Sequence, residues 1–342
     1  MFVAANAKSA STQKGLVSER MSTTQTPAKT EWPTVLVGIL ILCGYAAITK
    51  FHRSLPVPVF LVGLAWFSAW WSSFQHELLH GHPFPHAIIN NTIGLLSFVF
   101  WVPYESYKEL HLRHHRDEWL TDPFEDPESY YLDGPRWATM APWRQRIRWV
   151  NRTLLGRLII GPWLSVSSFL LQEAKKVRED ALGARRSWTR HLAVAIPVAA
   201  WVFIVCDIPA WQYGLAGVWG ATSLMKLRSF AEHRWEPDDL CRTAMIHAGL
   251  PFSLLYLNNN LHHTHHARPG TPWYKLPAAS VALGSDEVSR PGAGVYKGYI
   301  DVARLYLVRP LCLPVHPPAK EAAPLVSARV DRLDRLDRLA QG

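Results

Sequence analysis

The stretch FQHELLHGHPF, residues 74–84, contains His76-Glu77-Leu78-Leu79-His80. Read as H-E-x-x-H, it is a zinc clasp, with two imidazoles on the metal and the glutamate as general base of a peptidase. Read as H-x-x-x-H, it is a pair of imidazoles one helical turn apart. The first reading asks for one more zinc ligand nearby. The second asks for further histidines elsewhere, and the surrounding chain supplies them.

The pentapeptide follows an apolar run at 56–74, one of five in the chain; the others are 34–51, 87–103, 154–171 and 191–228. A membrane span needs ~20 mostly apolar residues. The runs 34–51 and 56–74 qualify, joined by the short turn HRSLP. The long run divides at Asp207, Pro209 and Ala210 into 191–207 and 210–228. The sequence thus predicts an all-α membrane protein with two transmembrane hairpins, four spans in all, and a cytoplasmic helical cap. The run 87–103 carries Asn90 and Asn91 and ends at Pro103, while 154–171 carries Arg157 and Pro162. Both are read as interfacial or re-entrant. Arginines and lysines crowd 105–153 and 172–190, whereas both hairpin turns are almost free of positive charge, which places both termini and the long loops on the cytoplasmic side.

Composition agrees. Of 342 residues, 49% are hydrophobic and only 18% charged, against about 25% charged in an ordinary soluble domain. Sixteen tryptophans suit a membrane interface. The four cysteines are far apart, with no Cys-x-x-Cys pair, so neither a disulfide framework nor a sulfur-ligated metal site is indicated. The formal charge of +9 is assigned to loops facing anionic lipid, with no nucleic-acid partner. Residues 1–30 read as a disordered tail, 31–310 as one membrane domain, and 311–342, with its DRLDRLDRL repeat, as a charged, solvated tail.

Three histidine clusters lie just outside the predicted spans. The first is His76 and His80. HLRHH gives His111, His114 and His115, and HHTHH gives His262, His265 and His266; His233 stands alone beyond the last span. Residues at i, i+3 and i+4 share one face of a helix, so each H-x-x-H-H can aim its imidazoles at one place. Nine imidazoles exceed the four ligands of a zinc ion and the six of an iron, so the count predicts two metals. Imidazole ligation suits iron, zinc, copper or nickel and excludes magnesium and calcium. The clusters can meet only if 87–103 and 154–171 do not cross the bilayer, as their polar residues already indicate.

Competing readings account for less. A membrane metallopeptidase would take a third ligand from a downstream Leu-Asp-Gly, but Leu132-Asp133-Gly134 lies in the polar run TDPFEDPESYYLDGPRW. Pro83 stands where a metzincin extension needs glycine. A carboxylate-bridged di-iron bundle needs two Glu-x-x-His motifs, and only Glu77–His80 provides one. A metal transporter would place its ligands at mid-bilayer, whereas these histidines flank the spans.

The ordered boxes H-x-x-x-H, H-x-x-H-H and H-x-x-H-H, with two hairpins and PWYKLP (272–277), resemble the membrane-bound fatty acid desaturases over roughly residues 34–280. The family also includes lipid hydroxylases and carotenoid ketolases. The resemblance implies a cytoplasmic cap holding two iron ions, with His76, His80, His111, His114, His115, His262, His265 and His266 as box ligands and His233 as a ninth. It implies dioxygen as co-substrate and a lipid or fatty acyl substrate, with desaturation expected ahead of hydroxylation. Ser229 departs from the animal acyl-CoA enzymes, where an asparagine at that place holds a metal-bound water. His82 and His263 fall outside the pattern. The chain carries no haem-binding motif and no cysteine cluster, so a separate electron donor, ferredoxin- or cytochrome-like, is expected. Glu77, Asp117, Asp122, Asp126 and Glu232 are candidates to orient the ligand rings. Trp70, Trp71, Trp101, Tyr104 and Trp273 are candidates for a channel lining or interface anchors.

Overall fold

The structure, a computed structural model, describes residues 26–317. Most of the expected N-terminal tail and the DRLDRLDRL repeat lie outside these residues. Helix α1 (Trp32–Lys50) and helix α2 (Val57–Leu79) form an antiparallel pair. Both start where proline is tolerated, with Pro33 and Pro58 in their first turns, because the first helical N–H groups have no partner to lose. Close approach of the two helices depends on glycine: a Cβ at Gly44 would stand 2.1 Å from the Phe67 ring. Ile41, Leu64 and Trp71 are fully enclosed along this seam, while Leu36 and Leu40 face outward.

No span-length helix follows directly after α2. Helix α3 (Ala87–Gly94) has only eight residues and is followed by irregular chain to Pro103. Helix α4 (Tyr104–His114) carries the second histidine cluster. The polar loop that follows leads to α5 (Pro142–Val150), α6 (Leu154–Ile159) and α7 (Gly161–Glu179). The run 154–171 is therefore shared between two helices, neither of which is long and apolar enough to span. Helix α8 (Ala184–Ala200) continues as a π-helical turn, Trp201–Val205.

Among the described residues, three helices are long and apolar enough to cross a membrane: Trp32–Lys50, Val57–Leu79 and Ala181–Val205. The sequence predicts a fourth at 210–228. There the chain is helical in three consecutive pieces, α-helical Ala210–Tyr213, π-helical Gly214–Gly220 and α-helical Ala221–Ser229, together called α9. Hydropathy reads composition and is blind to this change of helical register. The break before α9 falls where expected: Asp207 adopts φ 54° and Pro209 caps the next helix. Asp207 pairs with Arg53 of the α1–α2 turn, and the Trp201 indole donates to Thr49 Oγ1 at 3.1 Å, so the two turns adjoin.

The remainder includes α10 (His262–Ala267) and α11 (Tyr299–Tyr306). One parallel pair of two-residue strands, β1 (Met245–Ile246) and β2 (Val295–Tyr296), corrects the purely helical reading. Two residues are too few for strand alternation to be legible.

Candidate metal centre

The box histidines sit at helix ends. His76 is in the last turn of α2 and His80 caps it; His111 and His114 close α4 and His115 caps it. His262, His265 and His266 are three of the six residues of the short helix α10. His233 is placed by an isolated bridge to Thr243. The structure brings all nine together in two adjoining groups. One contains His76, His80, His111, His115 and His265, the other His114, His233, His262 and His266, and within each group the ligand atoms lie within 4.8 Å of one another. Neighbours in sequence divide between the groups, His114 from His115 and His265 from His266, because consecutive helical side chains point ~100° apart. The His115 and His266 rings, 4.4 Å between centroids, mark where the groups touch.

Distances favour a cation in each. His111 Nε2 lies 3.1 Å from His80 Nε2 and 3.0 Å from His115 Nε2, which is 3.0 Å from His265 Nε2. In the second group His233 Nε2 stands 3.0 Å from His114 Nε2 and 2.9 Å from His262 Nε2. Nitrogens bound at right angles to one first-row metal, at roughly 2.1 Å each, stand about 3.0 Å apart. Tautomers point the same way. His111 Nδ1–H donates to Glu128 Oε1 at 2.9 Å and His114 Nδ1–H to Asp126 Oδ1 at 2.8 Å. His262 Nδ1–H donates to the Asn259 carbonyl at 3.2 Å and side-chain oxygen at 3.1 Å. His262 Nε2 therefore presents a lone pair to His233 Nε2; if that atom gives its one hydrogen to His262 it cannot accept from the charged His114, and if it accepts from His114 it faces a lone pair on His262. A bound metal removes that mismatch, and the all-nitrogen donor set suits iron, zinc, copper or nickel.

The electrostatics keep most rings neutral. Burial, reinforced by adjacent imidazoles, holds His115, His233, His262, His265 and His266 well below the usual histidine range. His111 is lowered by burial, against the pull of Glu128. His114 differs: burial opposes its charge, but Asp126 and Glu128 together raise it to about 9. Glu128 stays well below the carboxylate range because His114 and His111 outweigh its burial. Burial pushes Glu232 up to about 7, against Arg228 at 3.0 Å.

The expected ring-orienting carboxylates meet different fates. Asp126 holds His114, and Glu232 stands 3.5 Å from His262 Nδ1. Glu77 accepts the Trp273 backbone N–H at 3.1 Å and lies 4.0 Å from His76 Nδ1. Asp122 Oδ1 accepts the Phe124 and Glu125 amides and so caps a turn. The Asp117 side chain lies outside the described groups. Sequence reasoning missed Glu128 and Asn259; Asn259 also aims its side-chain amide at His76 Nε2, 3.3 Å away. His82 pairs with Glu31 at 2.9 Å, and Ser229 Oγ lies 3.2 Å from the Tyr130 hydroxyl. Trp70, Trp71 and Tyr104 are buried in the core, with the Trp71 indole donating to the Leu96 carbonyl at 2.8 Å.

Apolar span-length helices, with two adjoining histidine groups gathered at the end of α2, define a helical membrane protein with a candidate metal centre. Over residues 53–290 the chain matches the family model of fatty acid desaturases, and it belongs to that family. No curated protein matches it at a significant level. Membership makes an oxidoreductase acting on lipid in a membrane setting the general class.

Proposed function

We propose that this chain is a multi-pass membrane oxygenase that holds two iron ions, one in each imidazole group, and inserts a double bond into an acyl chain. The observation that carries the reading is the sorting of nine histidines from four separate segments into groups of five and four. A peptidase reading would leave one of these groups unexplained. It would also require Glu77 to face the reacting water, whereas its carboxylate accepts the Trp273 amide.

Breaking an unactivated C–H bond lies beyond side-chain acids and bases; two bound irons supply the dioxygen chemistry that step requires. The chain's own residues have narrower tasks. His76, His80, His111, His115 and His265 hold one ion, and His114, His233, His262 and His266 the other. Asp126, Glu128 and Asn259 fix which ring nitrogen faces inward, as partners of metal-bound histidines do. Trp71, Leu78 and Leu79, all enclosed, keep water from the approach along α2. The proposed electron source is a separate donor protein, as the family resemblance implies.

In the proposed topology α9 is the fourth span. The hairpin turns joined by Arg53 and Asp207 lie on the far side, and the histidine centre lies at the cytoplasmic ends of α2 and α9. Support comes from the adjoining turns and from the arginines and lysines concentrated in the loops at the histidine end.

Mass spectrometry of cellular lipids with and without the protein tests the reaction. Desaturation yields a product lighter by two hydrogens; a product heavier by one oxygen would assign hydroxylation instead, and unchanged lipids would remove both.

A further inference from the structure

Helix α5 has no buried residue, although its sequence PWRQRIRWV alternates arginines with large apolar groups. Trp143 is 59% exposed and Trp149 38%, and Arg144 and Arg146 are exposed beside them. A helix so amphipathic normally lays its apolar side on something. The exposed apolar surface continues onto Trp163 at the start of α7, 64% exposed.

A second segment, remote in sequence, extends the same face. The Leu155 N–H donates to the Leu307 carbonyl at 3.0 Å, the Leu311 N–H to the Arg152 carbonyl at 2.9 Å, and Arg152 Nη2 to the Leu313 carbonyl at 3.1 Å. These bonds lace residues 307–313 alongside 152–155. In this segment Val308 is 71% exposed, and in the preceding helix α11 Ile300 is 72% exposed, with exposed Arg304 and Arg309 between and beside them. Exposed large apolar side chains on segments laced together in this way mark a candidate interaction surface. The face adjoins the apolar helices, because Ser223 of α9 donates to the Leu158 carbonyl at 2.7 Å and the Trp219 indole to the Ile159 carbonyl at 3.1 Å.

We propose that residues 142–163 and 299–313 form one monotopic face seated in an anionic phospholipid leaflet. Tryptophan and aliphatic side chains enter the interface, and Arg144, Arg146, Arg304 and Arg309 meet lipid phosphates. Tryptophans and arginines around an apolar surface are the composition that an interfacial element needs. Continuity with the span-length helices favours lipid over a protein partner. The seating also reaches the candidate metal centre: beyond Leu313, the Pro314 carbonyl accepts the Leu132 N–H and the His316 N–H returns to the Leu132 carbonyl, both at 2.9 Å. Leu132 ends the loop that carries Asp126 and Glu128. The inference rests on the membrane setting and not on the identity of the metal.

Amide hydrogen exchange of the purified full-length chain tests it, compared in detergent, in phosphatidylcholine nanodiscs, and in nanodiscs also containing phosphatidylglycerol. The expected result is several-fold slower exchange over 142–150 and 299–313 together, in the anionic nanodiscs only. Replacing the four arginines (Arg144→Gln, Arg146→Gln, Arg304→Gln, Arg309→Gln) should return both segments to the phosphatidylcholine rate. Equal exchange in all three environments would overturn the proposal, as would equal slowing in both nanodiscs. Slowing that requires an added redox protein would assign the face to a protein partner. Slowing in detergent that disappears when residues 318–342 are removed would assign it to the chain's own C-terminal end.

Discussion

Asp126 and Glu128 stand two residues apart and take the outer nitrogens of His114 and His111, members of different groups. Losing such a partner typically weakens metal binding by about 10–100-fold. We therefore expect Asp126→Ala to weaken metal binding within that range, measured by chelator competition, while Asp126→Asn, which still accepts the Nδ1–H, loses less. Protonation gives a second expectation. In the unfolded chain the box histidines titrate near their ordinary pKa of about 6.5. In the folded, metal-free protein, five of them stay neutral to well below that value. Below about pH 6.5 the unfolded state thus binds more protons, and stability falls as pH falls. His114, raised to about 9, has the opposite sign: its contribution is complete below about pH 6.5 and is lost as pH rises through 9. The neutral rings outnumber the opposing groups, His114 and the raised Glu232, which predicts a thermal midpoint of the metal-free protein that drops from about pH 7 to about pH 5; a flat or rising midpoint would contradict the neutral cluster. The nine histidines were legible because helical spacing is written in sequence. Glu128 was not, because a loop fold sets its contact with His111 seventeen residues away.

Helix α4 shows how a mostly polar element is fixed. Glu105 pairs with Arg190 at 2.6 Å, Ser106 donates to Glu173 at 2.8 Å, and Lys108 donates to Asn91 at 2.8 Å. Lys176 reaches Glu109 at 3.3 Å. Glu173 is the buried hub of this arrangement, accepting also from the Trp188 indole at 3.0 Å and pairing with Lys176 at 3.1 Å. It ties α4 to α7 and α8. Glu173→Ala strands buried donors at about 1–3 kcal/mol each. We expect a lower thermal midpoint in detergent together with reduced metal content, both partly restored in Glu173→Gln. Unchanged metal content in a destabilised variant would show that α4 holds its histidines without the clamp. At this scale α1 and α2 were legible to within a few residues at most ends, since length and hydropathy define them. The division of α9 into α and π pieces was not, because Gly214, Gly217 and Gly220 leave hydropathy unchanged while relaxing the helix.

Across the whole molecule, the turn at Arg53 and Asp207 gathers one end of the apolar helices, while the opposite ends of α2 and α9 lead into α4, α10 and His233. Sequence alone required the three boxes to share a side, and it demoted 87–103 and 154–171 on polar residues; the eight-residue α3 and the short α6 agree with that demotion. It did not reveal which histidine joins which group, since that depends on how helix ends face one another across more than a hundred residues. Metal analysis tests that division into two groups most directly. Elemental quantification of the purified chain should find two irons per chain, with His265→Ala depleting the five-imidazole group and His262→Ala the four-imidazole group, each variant retaining about one. A single zinc per chain, lost with His76 or His80 and indifferent to His262, would contradict it.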